Sequence, residues 1–367
     1  MNNRLLKNLD SAIGEILARL LPSPPLNKLP IPPGRVLFIR PGGIGDAVLL
    51  APVIKLLRKN FPAIHITVLA ERRNGGVFPL VPEVNTVFLY DRPAELGRVF
   101  KSRFDVVIDT EQWHRLSSVV ARLVTSPVKI GFNTNGRRRM FTHLVPYSHA
   151  DYELESFANL LIPLGVRVDT DSLTEKSYLV IPEREDCRST LLLEPLRGKQ
   201  FVTIFPGASI SERRWGGGRF NRVANALSER GYGVVVVGGT EDLTIGNEII
   251  HDNDGINLAG ATTLVETAAV IGKSSIVLSG DSGILHLAVG LGVPTVSLFG
   301  PGRAEKWAPR GAKHRIINKN IHCSPCTTFG TTPPCPHKVE CMGGIAVEEV
   351  VATLDQLISA SLPSISP

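Results

Sequence analysis

The feature that most constrains this chain is a regular alternation of short apolar runs with longer helical patterns, which begins at residue 35 and restarts near residue 200. The apolar runs are rich in Val, Ile and Leu, and helical patterns separate them. Near-continuous runs of this kind are typical of parallel strands buried on both faces. At 367 residues the chain is also too long for one typical core. The sequence therefore predicts an α/β protein with two halves of similar size.

The individual segments set the predicted boundaries. The predicted strands are 36–39, 65–70, 86–90, 105–110, 201–205, 233–239, 275–280 and 295–300, and the clearest helices are 46–60, 219–231 and 346–361. The predicted parts are an amphipathic helix and proline-rich linker over 1–34, an N-terminal domain over 35–170, a connection over 171–198, a C-terminal domain over 199–345, and a helix and tail over 346–367.

Charge and hydropathy limit the partners and the compartment. A net charge of +6 favours an anionic partner, either nucleic acid, a membrane surface or a phosphorylated substrate. No helix-turn-helix or RNA-binding signature is present and aromatic residues make up only 6%, which argues against nucleic acid. The sequence has neither a secretory signal nor an apolar run long enough to cross a bilayer. We therefore expect a cytoplasmic protein, and residues 4–21 form an amphipathic helix that lies either on a membrane or on the protein's own surface.

The first strand leads into RPGGIGDAVLLAP (40–52), which has only part of a dinucleotide-binding fingerprint. Gly43 and Gly45 match it, and Glu71 after the second strand matches its ribose-binding acid, so an NAD-dependent oxidoreductase is one interpretation. Asp46 argues against it, because a carboxylate at the helix start competes with a pyrophosphate for the same amides. Asp46 is then either a helix cap or a base, with the glycines admitting a substrate close to the backbone.

The second half has a stronger pattern for phosphate binding. FPGASISERRWGGGRF (205–220) follows a strand and offers a turn, the Ser209 hydroxyl and the guanidinium groups of Arg213 and Arg214. Arginine matches phosphate oxygens bidentately, so we expect a phosphate-binding site here. The alternative interpretation is a solvated, charged loop.

A second loop of this half has a similar pattern. GDSGILH (280–286) joins a strand to a helix, and loops at the carboxyl ends of parallel strands are where open α/β sheets bind ligands. Ser282 and the amides at Gly283 suit a diphosphate, and Asp281 suits either the loop itself or a sugar hydroxyl. For His286 alone, a buried structural histidine is the more common case.

In their order and spacing, four motifs resemble glycosyltransferase family 9: GGIGDAVLLAP, FPGAS…RRW, VVGGTED and GDSGILHLAVGLGVPTVSLFGP. Members of this family include the bacterial heptosyltransferases that build the lipopolysaccharide inner core. The resemblance covers roughly residues 35–345. It implies a GT-B architecture, two Rossmann-like domains facing across a cleft, with the acceptor on the N-terminal side and the nucleotide-sugar on the C-terminal side.

The resemblance also implies roles for individual residues. The family's catalytic aspartate falls on Asp46, its donor-phosphate lysine on Arg213, its nucleotide-side acid on Glu241, and its D-[TS]-G-x-x-H motif on Asp281, Ser282, Gly283 and His286. Arginine in place of lysine keeps the charge and changes the reach. Trp215 is followed by three glycines instead of the usual proline-containing segment, so we expect this loop to be mobile.

The implied activity is inverting, metal-independent glycosyl transfer with Asp46 as the general base. The implied donor is ADP-heptose, and the implied acceptor is a lipid A–Kdo or heptosyl-core intermediate at the inner face of the membrane. A different nucleotide-sugar, or a binding module that has lost activity, are the alternatives.

Four of the five cysteines fall within one short window, Cys323, Cys326, Cys335 and Cys341. In a reducing compartment such clustering favours metal binding or local packing over disulfides. The C-x2-C pair and the later cysteines, with His337 between Cys335 and Cys341, are compatible with a structural zinc, and equally with a reduced, packed loop. Many members of the family carry a cysteine-rich segment here.

The arginine run Arg137, Arg138 and Arg139 lies in the N-terminal half. Such a run is either a solvated surface or, on the acceptor side, a contact for phosphate or acidic sugars. Arg72 and Arg73 are weaker candidates for the same contact.

Overall fold

A computed structural model describes residues 10, 14–25, 32–169, 173, 176–328 and 331–361. The chain divides into two compact units, Met1–Thr174 and Glu175–Pro367. This division lies inside the predicted connection 171–198, of which several residues are outside the described part of the chain. The later part of that segment forms a helix of the second unit.

The first unit is a six-stranded parallel sheet in the order β3-β2-β1-β4-β5-β6. Its strands are β1 Arg35–Arg40, β2 His65–Ala70, β3 Thr86–Leu89, β4 Val106–Asp109, β5 Val128–Phe132 and β6 His143–Val145. Its helices are α1 Glu15–Leu20, α2 Ile44–Asn60, α3 Arg72–Gly75, α4 Pro93–Lys101, α5 Arg115–Leu123 and α6 Glu153–Asn159. β1 is central: Phe38 lies opposite Val68 of β2 and Ile108 of β4, and all three side chains are fully buried.

The second unit repeats this design with the order β12-β11-β10-β7-β8-β9. Its strands are β7 Phe201–Phe205, β8 Gly233–Val236, β9 Ile256–Asn257, β10 Ile276–Gly280, β11 Thr295–Phe299 and β12 His314–Asn318. Its helices are α7 Glu183–Leu192, α8 Gly217–Glu229, α9 Leu243–Ile250, α10 Leu264–Gly272, α11 Gly283–Gly290, α12 Ala304–Trp307, α13 Glu340–Gly343 and α14 Val347–Ser361. Val350 and Leu354 of α14 are buried in the core of this unit.

Counted along each unit, both sheets have the strand order 3-2-1-4-5-6, which is the Rossmann order. The α/β class with two Rossmann-like parallel sheets is therefore confirmed. In such sheets the strand order reverses beside the first strand, and ligands bind at the carboxyl ends of the strands there. This point lies between β1 and β4 in the first unit and between β7 and β10 in the second.

The N-terminal helix packs on the protein where it is described. Leu17 and Leu21 pack against the core of the first unit, and the Asp10 carboxylate accepts a hydrogen bond from the Leu116 N–H at 2.7 Å. Residues 4–9 and 11–13 of the predicted amphipathic helix lie outside the described part of the chain. Among the described helices, none has the length and apolar character needed to span a bilayer.

Candidate active site

The β1–α2 turn presents Asp46 at the carboxyl end of the first sheet. Gly42 has φ of +106°, a conformation that favours glycine, and Gly43 is the N-cap of α2. Asp46 is the third residue of the helix, so it is not the N-cap residue, although its carboxylate stays near the helix start. Its side chain is 19% exposed, so part of it stays open to solvent.

Charged side chains from neighbouring elements surround this carboxylate. Nη2 of Arg40, at the end of β1, lies 3.8 Å from Oδ2 of Asp46 and 3.1 Å from Oε2 of Glu111, which follows β4. Burial raises the pKa of Asp46 above its ordinary value, Arg40 opposes that rise, and the Glu111 charge adds to it. A carboxylate with a raised pKa is a stronger base than an exposed one.

The glycines keep this opening clear. A Cβ on Gly42 would lie 3.2 Å from Arg40 Nη2 and 3.9 Å from Arg73 Nη2, and one on Gly43 would lie 3.4 Å from Asp46 Oδ2. A side chain at either position would cover the carboxylate. Gly45 is the second residue of α2, and its contact with an acceptor stays a prediction.

The arginine run does not form one surface. Arg137 is fully buried: it pairs with Asp109 of β4 at 2.5 Å, and its guanidinium lies over the Phe141 ring. The prediction that Arg137 contacts an acceptor is therefore wrong, because its charge is neutralised inside the first unit. Arg138 and Arg139 are exposed.

In the second unit, the β7 loop and the β10 loop meet through an ion pair. Nη1 of Arg213 lies 2.9 Å from Oδ2 of Asp281, and the two side chains are 16% and 8% exposed. Burial raises the pKa of Asp281, and Arg213 opposes that rise. Among the described residues, the buried Arg213 Nε has no hydrogen-bond partner. A Cβ on Gly302 would lie 2.1 Å from Asp281 Oδ2, so Gly302 also belongs to this packed cluster.

The start of α11 lies beside this pair. The Ser282 hydroxyl is the N-cap and accepts a hydrogen bond from the Leu285 N–H at 3.2 Å, and it also contacts the Ser279 hydroxyl. Gly283 is the first helical residue, where unpaired amides favour an anion. His286 is buried, and burial lowers its pKa to about 4, so the ring is neutral at neutral pH. A neutral, buried ring agrees with a structural role.

The remaining predicted donor residues are exposed. Ser209 and Glu241 both lie on the surface of the second unit, in the loop after β7 and the turn after β8. The buried neighbour Asp242 accepts a hydrogen bond from the Gly239 N–H at 3.0 Å and so holds this turn. Sequence analysis did not identify Asp242.

One of the three glycines after Trp215, Gly217, has a packing role. Gly217 and Gly218 begin α8, and a Cβ on Gly217 would lie only 2.2 Å from Glu248 of α9. Trp215 is buried and donates a hydrogen bond from Nε1 to the Ile345 carbonyl at 3.2 Å. Close packing of α8 on α9 explains the glycine at position 217, and the mobility of the preceding loop stays a prediction.

The cysteine window gives a different ligand group from the one predicted. The donor atoms of His322, Cys323 and His337 all lie within 4.8 Å of one another. Cys341 is buried instead against the Gly300 backbone, where a Cβ would lie 3.1 Å from its Sγ. Burial and the neighbouring thiols of Cys335 and Cys323 raise the pKa of Cys326. Among the described residues the structure thus brings together a mixed histidine and cysteine group, and metal binding by the four cysteines stays a prediction.

Sequence analysis also missed the buried charges Arg40, Asp109 and Glu111. Asp109 and Glu111 end the run DVVIDTE, and Arg40 ends β1, so each follows an apolar strand. A charged residue at the carboxyl end of a central parallel strand was the signal that could have identified them.

Comparison with known proteins agrees with this geometry. The family model "Glycosyltransferase family 9 (heptosyltransferase)" matches residues 94–335. A curated relative, lipopolysaccharide heptosyltransferase 3 of Escherichia coli, is 30% identical over 289 residues, which cover 72% of this chain and 83% of the relative.

Two solved structures share the fold. The glycosyl transferase family 9 of Veillonella parvula DSM 2008 has a TM-score of 0.77 at 20% identity, covering 92% of this chain and 99% of its own. E. coli heptosyltransferase WaaC with ADP-2-deoxy-2-fluoro heptose has a TM-score of 0.68 at 15% identity, covering 88% and 99%. With the family match over most of the chain, these findings show that the protein is a transferase that belongs to glycosyltransferase family 9.

Proposed function

We propose that this protein transfers heptose from ADP-heptose to a lipid-linked saccharide of the lipopolysaccharide inner core, with inversion at the anomeric carbon. The observation that carries the proposal is Asp46, a mostly buried carboxylate that stays partly open to solvent at the switch point of the first sheet. Two comparisons support these substrates. The curated relative is a lipopolysaccharide heptosyltransferase, and WaaC was solved with an ADP-heptose analogue. Membership of this family argues against the NAD-dependent alternative. The Glu71 carboxylate, which that alternative assigns to a ribose, instead pairs with Arg73 at 2.7 Å.

In the proposed reaction, Asp46 accepts the proton of an acceptor hydroxyl as its oxygen attacks the anomeric carbon of the donor. The new glycosidic C–O bond forms while the bond from that carbon to the ADP oxygen breaks. ADP leaves with the electron pair, and the proton remains on Asp46 until solvent removes it.

The second unit supplies the groups that bind the ADP. Arg213 carries a fixed charge beside the start of α11, and its Nε is directed to a buried position with no hydrogen-bond partner among the described residues. Phosphate oxygens would compete with Asp281 for this guanidinium and take the unpaired amides of α11. Ser209 and Glu241 are exposed and stay candidate contacts for the nucleotide. We propose that this charge and dipole stabilise the leaving diphosphate without a metal.

The direct test is transfer by the purified protein to two acceptors, lipopolysaccharide that lacks heptose and lipopolysaccharide truncated after its inner-core heptoses. ADP-heptose, UDP-sugars and GDP-sugars are compared for thermal stabilisation and for product. We expect stabilisation and an inverted glycosidic product with ADP-heptose alone. Equal stabilisation by all nucleotide-sugars would remove the heptosyl assignment, and ADP-heptose binding without any product would identify a binding module.

We further propose that the protein works at the cytoplasmic face of the inner membrane, where a net charge of +6 favours anionic lipid. Flotation with vesicles tests this: co-flotation with phosphatidylglycerol vesicles but not with phosphatidylcholine vesicles is expected. Equal recovery in the absence of vesicles would contradict it.

For the cysteine window we propose a structural zinc held by His322, Cys323 and His337, with Cys326 or Cys335 as the fourth ligand. Imidazole and thiolate donors suit tetrahedral zinc, and three such donor atoms already lie within 4.8 Å of one another. Elemental analysis of the purified protein is expected to give one zinc per chain, lost in His337→Ala and kept in Cys187→Ser, since Cys187 is an exposed cysteine on α7. If the wild-type protein contains no metal and its unfolding midpoint does not change when zinc is added, the site is rejected.

A further inference from the structure

We propose that Glu111 is a positioning residue for transfer: it holds the Arg40 guanidinium beside Asp46 and prevents it from closing a direct ion pair on that carboxylate. The proposal rests on the proposed role of Asp46 as the base. Three observations support the role of Glu111. They are the fixed contacts of Arg40, the fixed contacts of Glu111, and the unequal distances from Arg40 to Glu111 and Asp46.

Arg40 is held on all sides. Its side chain is 1% exposed, and its Nε and Nη1 donate to the backbone carbonyls of Pro41 at 2.6 Å and Thr110 at 3.0 Å. Its guanidinium lies over the ring of Phe157, 5.5 Å from the centroid. Only Nη2 is left for carboxylates, and it donates to Glu111 Oε2 at 3.1 Å.

Glu111 is fixed from its other oxygen. Oε1 accepts hydrogen bonds from the N–H groups of Trp113 at 3.1 Å and His114 at 3.2 Å, and the side chain is 7% exposed. Burial alone would raise the pKa of Glu111, but Arg40 and the other positive neighbours lower it, so Glu111 stays ionised. Backbone amides therefore anchor the negative partner, and backbone carbonyls anchor the positive one.

The distances show how the charge of Arg40 is shared. Its Nη2 is 3.1 Å from Glu111 and 3.8 Å from Asp46, so Asp46 has a positive neighbour but no hydrogen bond to it. A direct pair would make Asp46 a weaker base, and the absence of any positive charge would favour its protonated form. The intermediate distance serves a base that must be ionised and still accept a proton.

Other groups also face Asp46 and belong to the charge balance. Arg73 of α3 lowers the pKa of Asp46 together with Arg40. Tyr147, in the loop after β6, also feels the Asp46 charge, and burial raises the pKa of its hydroxyl well above the ordinary value. Its hydroxyl donates to Glu153 at 2.9 Å, so Tyr147 stays neutral and does not replace Glu111.

The test is the pH profile of kcat/KM for Glu111→Gln with the full-length enzyme. The change removes the repulsion of Asp46 by Glu111 and frees Arg40 Nη2 to pair with Asp46. We expect the acid limb of the profile to move to lower pH and the plateau of kcat to fall about tenfold, because the base is weakened. Asp91→Asn is the matched control, since Asp91 is exposed and pairs with Arg72 on the surface.

A second variant keeps the test decisive if Glu111→Gln folds poorly. Arg40→Met with Glu111→Gln removes both buried charges together, which is expected to restore the unfolding midpoint lost in either single variant. In the Arg40→Met background only the direct repulsion of Asp46 by Glu111 is left to remove, so the Glu111→Gln change is expected to move the acid limb to lower pH by less than it does in the wild-type background. A lower plateau with an unmoved limb in Glu111→Gln, or a shift of equal size in the two backgrounds, would overturn the positioning role.

These results are separable from a failure of the proposed function. If Asp46→Asn transfers heptose at the wild-type rate, the base assignment fails and so does this inference. If Asp46→Asn is inactive and the limb of Glu111→Gln does not move, only the positioning role of Glu111 fails.

Discussion

Asp46 and Arg73 both lie close to Gly42, where a Cβ would be 3.8 Å from the Asp46 carboxylate and 3.9 Å from the Arg73 guanidinium. Arg73 is half-exposed, whereas the fully buried Arg137 has its charge used by Asp109. Arg73 thus faces solvent near Asp46, whereas Arg137 neutralises a buried carboxylate. At the scale of single residues, burial and the nearest carboxylate decide which arginine can reach a substrate.

Arg73→Ala is expected to raise KM about tenfold for an acceptor that carries phosphate or carboxylate groups, with a smaller change in kcat. The loss removes a cation beside the opening while leaving Asp46 in place. Steady-state kinetics with acceptor before and after phosphatase treatment measure it. Arg72→Ala is the contrast, since Arg72 is 69% exposed and lies 3.7 Å from Asp91. Equal losses in the two variants would contradict the role of Arg73.

At the scale of elements, the N-terminal segment and α5 stabilise one another. The Asp10 carboxylate accepts the Leu116 N–H in the first turn of α5, and it lies 3.4 Å from His114 Nδ1. A Cβ on Gly14 would be 3.0 Å from the Cβ of Arg115, so glycine allows the close approach. A carboxylate at a helix start accepts a hydrogen bond from an unpaired amide and interacts favourably with the helix dipole. Here the carboxylate comes from a distant part of the sequence.

Asp10→Ala is expected to lower the free energy of unfolding by about 1 kcal/mol, the usual cost of a lost helix cap. Hydrogen bonds from His114 and α5 lower the pKa of Asp10 despite its burial. The stabilisation is therefore present above the unfolded value of 3.8 and is lost as pH falls through the lower folded pKa. Urea unfolding at pH 7 and pH 3 measures both effects. The control Glu15→Ala, at a half-exposed ion pair with Arg115, is expected to cost only a few tenths of that.

The strands also show what the sequence can predict at this scale. The run HITVLA predicts a strand over 65–70, and β2 occupies the same residues, because the five residues after His65 are apolar or β-branched and are buried in the sheet. The sequence does not predict the short edge strands β6, β9 and β12. β9 has two residues and β12 is partly exposed, so neither presents a continuous apolar run.

At the scale of the whole molecule, the repeat of an α/β pattern in two units was visible in the sequence, because each unit restarts with a buried first strand, whereas the strand order within each sheet was implied only by the family resemblance. The positions of Asp46 and Arg213 at the carboxyl ends of strands were predictable for the same reason. The Arg137–Asp109 and Arg40–Glu111 pairs were not, since 28 and 71 residues separate the partners and only the sheet order brings them together.

The proposed mechanism requires Asp46 to remove the proton of the acceptor hydroxyl. Single-turnover transfer by Asp46→Asn, measured alongside the Kd for ADP-heptose from calorimetry, tests this role. We expect the transfer rate to fall at least about a hundredfold, because a general base is lost, with Kd unchanged within about twofold. Transfer by the Asp46→Asn variant at the wild-type rate would contradict it.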